Sequence, residues 1–159
     1  MTKRSGGFTL IETMVALSVV LILLLMATPS FLDRSIRNQI NEALPLADIA
    51  KTSITAAWAA TKSFPEDNTS AGLPAADKIV NNFVSSIAVE NGAIHITFGN
   101  KAMQLLKGKI LTLRPAVVDD APVVPVTWVC GISATPGNMT VKGNNKTDIP
   151  VKYLPFKCR

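Results

Sequence analysis

A chain of 159 residues with 16 basic and 11 acidic side chains, a formal charge of +5 and 48% apolar residues has room for one domain of ordinary size. One histidine and two cysteines are too few for a structural metal site. The chain has no nucleophile motif, glycine-rich phosphate loop or metal-ligand spacing, so the pattern is not that of an enzyme and implies no cofactor.

Taken in order, the chain begins with a short basic leader, Met1–Ser5, followed by Gly6-Gly7-Phe8-Thr9-Leu10-Ile11-Glu12. From Thr13 to Leu32 no residue is charged. Twenty such residues make about 30 Å of helix, enough to cross a bilayer core. Glu12 is a lone carboxylate at the mouth of that span, costly in lipid unless a partner compensates it. A secretory signal carries its cleavage site after the apolar region, whereas the glycine pair here comes before it. Cutting between Gly7 and Phe8 would leave the apolar helix on the mature chain.

This stretch resembles the leader and N-terminus of type IV prepilins. The resemblance joins a glycine before the cut, Phe8 at the first mature position, Glu12 at the fifth and Pro29 at the twenty-second. It implies cleavage after Gly7 by a membrane prepilin peptidase, N-methylation of Phe8, and roles for Phe8, Glu12 and Pro29 in assembly. It also implies a single-pass protein of the bacterial inner membrane that becomes part of an extracellular pilus. The partners implied are identical subunits in a helical filament, an inner-membrane assembly platform, minor pilins, and DNA or a host or abiotic surface. Thr13, Leu21, Phe31 and Arg34 depart from residues common in major pilins, so major and minor subunit both stay open.

Beyond the span the pattern turns amphipathic. Leu32, Ile36, Ile40, Leu44, Ala47, Ala50, Ile54 and Trp58 recur at spacings of three and four and share one helix face. The helix is expected over residues 8–62, as a membrane or filament-core part 8–32 and an amphipathic part 33–62. Pro29 and Pro45 should bend or loosen it. Residues 63–82 read as a connecting loop with a short helical turn near Ala75–Val80.

Phe83–Val89 and Ala93–Phe98 are strand-like and flank Glu90-Asn91-Gly92, a hairpin signal. His95 falls on the face opposite Ile94 and Ile96 and is expected to be an exposed strand residue without a catalytic partner. Asn100–Lys107 is helix-compatible, Lys109–Pro115 and Val126–Cys130 are further strands, and Gly131–Arg159 reads as an irregular loop. The segments Ile96–Ala102, Leu111–Pro115, Trp128-Val129-Cys130 and Lys152–Arg159 look like the head of the type IVa pilins, in which a Trp-x-Cys strand pairs with a cysteine near the C-terminus.

The fold expected is α+β: a long N-terminal α-helix packed against a four-stranded antiparallel sheet in a head of residues 83–159, with a disulfide-bounded C-terminal loop 130–158. Export through the leader would place Cys130 and Cys158 in an oxidising compartment, and their bridge would add about 3–4 kcal/mol in the chain-entropy model.

Charge is uneven. Residues 8–90 carry five basic and eight acidic side chains, residues 91–159 nine basic and three acidic. The simpler reading of this basic half is a solvated surface that aids solubility. The functional alternative is a minor or competence pilin whose head contacts DNA or another anion through Lys101, Lys107, Lys109, Lys142, Lys146, Lys152 and Lys157. Three Asn-x-Ser/Thr sequons, at Asn68, Asn138 and Asn145, are short patterns that also arise by chance.

Overall fold

A computed structural model of the chain describes residues 7–121 and 123–159, without the side chains of residues 27–30. The expectations for leader residues 1–6 lie outside the described residues, and an assembly role for Pro29 rests on a side chain that is not described. Two compact units divide at Ser35 and Ile36.

In the first unit, helix α1 (Leu10–Ala43) begins after Thr9, whose Oγ1 accepts a bond from the Glu12 amide at 3.3 Å. A threonine in this position satisfies one of the amides that every helix start leaves unpaired. Thr13 and Ser18 turn their hydroxyls inward, donating to the carbonyls of Leu10 and Met14 at 2.7 Å. The apolar side chains from Phe8 to Met26 are all exposed. The helical stretch Leu10–Thr61 contains a window long and apolar enough to cross a membrane, with mean hydropathy 2.6 and none of it buried.

The second unit, Ile36–Arg159, holds the core. A 3-10 turn, Leu44–Ala47, interrupts the helix at Pro45 before α2 (Asp48–Thr61) resumes. Pro45 has no amide to donate and its ring crowds the preceding turn, so the break is local and expected. Helix α2 ends where Lys62 turns left-handed (φ 56°), its amide closing on the Trp58 carbonyl at 3.0 Å. Ile36, Ile40, Ala43, Leu44, Ala47, Ala50 and Ile54 are buried, while Leu32, the first member of the expected stripe, is 49% exposed. Each fully buried isoleucine contributes about 1.5–3 kcal/mol of burial.

That stripe packs on one face of an antiparallel sheet ordered β1 (Val84–Glu90), β2 (Ala93–Phe98), β3 (Ile110–Val117) and β4 (Thr127–Cys130). Ile87, Val89, Ile94, Ile96, Phe98, Leu111 and Leu113 form its inner face. A two-residue strand β5 (Thr140–Val141) also pairs with β3 and adds a short fifth member to the four strands expected. The hairpin turns on Asn91 (φ 49°) and Gly92 (φ 81°), the left-handed pair that the Asn-Gly signal calls for.

Two stretches differ from their sequence pattern. Asn100–Lys107 forms consecutive turns instead of a helix, because Asn100 is left-handed (φ 52°) and Ala102 and Leu106 bury into the core from separate turns. Gly131–Arg159 is more ordered than a plain loop, containing β5 and the 3-10 turns Val151–Tyr153 and Phe156–Cys158.

The sheet's open flanks are closed by side chains. Asn68 accepts from the Val89 amide at 2.7 Å and donates to the Ile87 carbonyl at 3.0 Å, taking the place of a strand beside β1. Asn81 accepts from the amides of Phe83 and Val84, both at 2.8 Å. Where β4 stops, Thr147 accepts from the Thr112 amide at 3.0 Å and Asp148 from the Ile110 amide at 2.6 Å.

Candidate assembly and surface sites

The N-terminal candidates are placed by α1. Gly7 is exposed, and among the described residues beyond its chain neighbours no atom lies within 4 Å of where a side chain would project. Phe8 is 81% exposed and stands just ahead of the helix. Glu12 occupies its first turn, the end at which the helix dipole favours a carboxylate. Among the described residues the Glu12 carboxylate has no hydrogen-bonding or ionic partner within its own chain. The hydroxyls of Thr13 and Ser18 are satisfied inside the helix, whereas the Glu12 carboxylate, among the described residues, is not.

The basic residues of the head do not form one free set. Lys109 pairs with Asp148 at 3.2 Å and Lys142 with Asp119 at 3.0 Å, while Lys146 binds Glu90. The Lys142 ammonium and a Thr140 hydrogen bond hold the Asp119 carboxyl below its ordinary range. Lys152 lies 4.5 Å over the Tyr153 ring. Lys101, Lys107 and Lys157 are exposed without an ion-pair partner among the described residues.

Two arginines outside the candidate anion set have a clearer role. Arg37 donates to the Lys152 carbonyl from Nε at 3.1 Å and Nη2 at 2.6 Å. Arg159 donates from Nε to the Leu154 carbonyl at 2.9 Å. Together they fix the 3-10 turn Val151–Tyr153 that leads to the second cysteine. Arg37 follows the buried Ile36 in sequence, but nothing in the pattern shows that its target is a backbone oxygen 115 residues away.

Cys130 and Cys158 form the disulfide, closing a separation of 28 residues. Gly131 lies directly beneath it: an added Cβ would come within 2.6 Å of the Cys158 carbonyl oxygen.

His95 corrects its sequence reading. It is 4% exposed, with Nδ1 3.0 Å from the Thr112 hydroxyl and Nε2 3.9 Å from the Glu90 carboxylate. Burial and the nearby Lys146 push its pKa below the ordinary value, with Glu90 pulling the other way. A hydroxyl and a carboxylate thus flank the ring, but Thr112 is fully buried and out of reach of any substrate. The alternation of β2 put His95 on the correct face; what it could not show is that residues 142–148 cover that face.

Of the three sequons, Asn68 is buried and its amide is committed to Pro74, Ile87 and Val89. Asn145 donates to the Gly131 carbonyl at 2.9 Å, and Asn138 is exposed.

Comparison with known proteins agrees with this architecture. A family described as "Pilin (bacterial filament)" matches residues 37–159, and a "Prokaryotic N-terminal methylation motif" matches residues 2–28. The chain is 33% identical to the "Type IV major pilin protein PilE" of Neisseria gonorrhoeae over 165 residues, covering 100% of this chain and 96% of that one. It is also 33% identical to a "Fimbrial protein" of Neisseria meningitidis, again over 100% and 96% of the two chains. Identity to the "Fimbrial protein EcpC" of Eikenella corrodens is 31%, over 96% and 90%. With a methylation motif at its start, an exposed apolar helix and a disulfide-closed antiparallel sheet, the chain belongs to the type IV pilin family.

Proposed function

We propose that this chain is a structural subunit of a type IV pilus, cut after Gly7 by a prepilin peptidase, methylated at Phe8 and assembled by helix packing into a helical filament. The observation that carries this reading is the apolar surface from Phe8 to Met26, wholly unburied, with one unpartnered carboxylate at Glu12. In the bilayer, lipid covers that surface. After extraction by an inner-membrane platform, only the same surface of neighbouring subunits can cover it, and a head-to-tail contact repeated along a screw axis makes a fibre. At about 25 cal/mol per Å² of apolar area, many weak contacts hold such a fibre without covalent links.

Register needs a polar rule. Cleavage creates an α-amino group on Phe8, which carries a heavy penalty if buried unpaired. Glu12, of the same or a neighbouring subunit, compensates it across the low-dielectric core. Glu12→Ala is therefore expected to leave leader cleavage intact and abolish filaments; wild-type filament amounts from that variant would overturn the assignment. Gly7→Leu is expected to leave the leader uncut, read as a heavier band.

The filament would serve adhesion to a host or abiotic surface, twitching motility or DNA uptake, alongside minor pilins. A second reading, a minor or competence pilin whose head binds DNA, draws support from Lys101, Lys107 and Lys157, which have no ion-pair partner among the described residues. The pairing of Lys109, Lys142 and Lys146 with acids reduces the charge available for phosphate. Filter binding of duplex DNA to the detergent-solubilised chain across a salt series separates the two, since the second reading requires affinity that falls steeply with salt.

A further inference from the structure

The segment Gly143–Asp148 crosses the outer face of the sheet as a strap. At its start, Gly143 lies so close to β2 that an added Cβ would meet the Ala93 Cβ at 2.7 Å. In its middle, the Lys146 amide donates to the Thr112 hydroxyl at 3.0 Å and the Lys146 ammonium binds Glu90. At its end, Thr147 and Asp148 close the flank of β3, and the Asp148 amide donates to the Ile110 carbonyl at 3.2 Å. Beneath the strap lies His95, with Nε2 buried and unpartnered.

The charged groups around that ring are few. From β1 comes Glu90, from β3 the neutral Thr112, and from the strap Lys146. Farther along the strap, Lys109 pairs with Asp148, and next to its start Lys142 pairs with Asp119. A neutral imidazole needs one partner for its N–H, and the Thr112 contact meets the need of one ring nitrogen. A doubly protonated imidazole has a second N–H, and the one carboxylate within reach is Glu90, at 3.9 Å and already engaged by Lys146. The ring also becomes a second cation beside the Lys146 ammonium.

We propose that Gly143–Asp148 is an acid-released strap: a second proton on His95 draws Glu90 from Lys146, and the freed strap uncovers the flank of β3 at Ile110 and Thr112. No charge leaves the cluster, so the event is an exchange of partners on one carboxylate. Its product is a stretch of β3 whose Ile110 and Thr112 amides are open to water.

Hydrogen exchange of the full chain in detergent micelles tests this at about pH 7.5 and about pH 5, corrected for the intrinsic pH dependence of exchange. The amides of Ile110, Thr112, Lys146 and Asp148 are expected to lose about tenfold in protection on acidification, while the β1–β2 ladder keeps its own. Glu90→Gln is expected to make those four amides fast at both pH values, and His95→Gln to keep them slow at both. Equal protection of the wild-type chain at the two pH values overturns the proposal, as does an acid loss that survives in His95→Gln. Should His95→Gln fail to fold, Glu90→Gln decides alone: an undiminished acid-dependent loss there overturns it too.

Discussion

Arg37 grips the backbone oxygen of Lys152 with two N–H groups, at 3.1 and 2.6 Å, tying the helix to the turn that carries the chain to Cys158. A half-buried guanidinium on one carbonyl is a charge-assisted contact, stronger than a neutral hydrogen bond. Arg37→Ala is expected to cost about 1.5–3 kcal/mol. Arg37→Lys should recover only part of this, because an ammonium cannot present the planar fork. Denaturant melts of the three chains in the same detergent check the order.

Asn68 offers a sharper test, since its two amide atoms do opposite work. Asn68→Ala strands the Ile87 carbonyl and the Val89 amide and should cost about 2–4 kcal/mol. Asn68→Asp keeps the acceptor for Val89 but replaces the donor to Ile87 and Pro74 with a carboxylate oxygen, so it should be no better than alanine. An aspartate variant as stable as wild type would show that the donor half is idle. Comparison of melting midpoints decides.

Gly131 is constrained twice, by its positive φ of 57° and by the Cys158 carbonyl 2.6 Å from an added Cβ. Left-handed strain and overpacking together predict a loss of about 2–4 kcal/mol for Gly131→Ala. Gly137→Ala, with φ 44° and nothing within 4 Å, should show only the strain and a smaller loss. The difference in Tm between the two variants isolates the packing contribution.

Stability should fall with acid in two stages. The fold holds His95 neutral, below its ordinary value of 6.5, so its contribution is intact above pH 6.5 and is lost as pH falls beneath that value. Asp67, Glu90 and Asp119 are held below their ordinary values, by hydrogen bonds from Ser70, Lys146 and Lys142 respectively. Their contribution is present above the ordinary carboxylate range and is lost as pH falls through it. Thermal melts across pH should therefore show a first decline below 6.5, absent in His95→Asn, and a second below about 4.5 that both chains share.

How much of this could be read from the residues follows from the range of each signal. The helix, its apolar span and its buried stripe are visible because periodicity is local, and so is the Asn91-Gly92 hairpin. The break at Pro45 is equally local. Glu12 stands out because a lone carboxylate is conspicuous beside twenty uncharged residues. The burial of His95 and the pairing of Lys109, Lys142 and Lys146 are not legible in this way. They depend on contacts that span 56, 39 and 23 residues of sequence and leave no periodic trace. The turns at Asn100–Lys107 escaped for a related reason: their composition suits a helix, and only the pull of Ala102 and Leu106 into the core decides against it.

The side-chain closure of the sheet's flanks bears on crowding. Heads held shoulder to shoulder in a fibre meet at local concentrations where bare strand margins would zip together and fuse neighbouring subunits into one continuous sheet. Asn68 and Asn81 on the β1 margin, and Thr147 and Asp148 on the stretch of β3 beyond β4, take up backbone groups that could otherwise join. In the fibre proposed above, cohesion would then fall to the apolar helices, whose exposed side chains lipid covers before assembly.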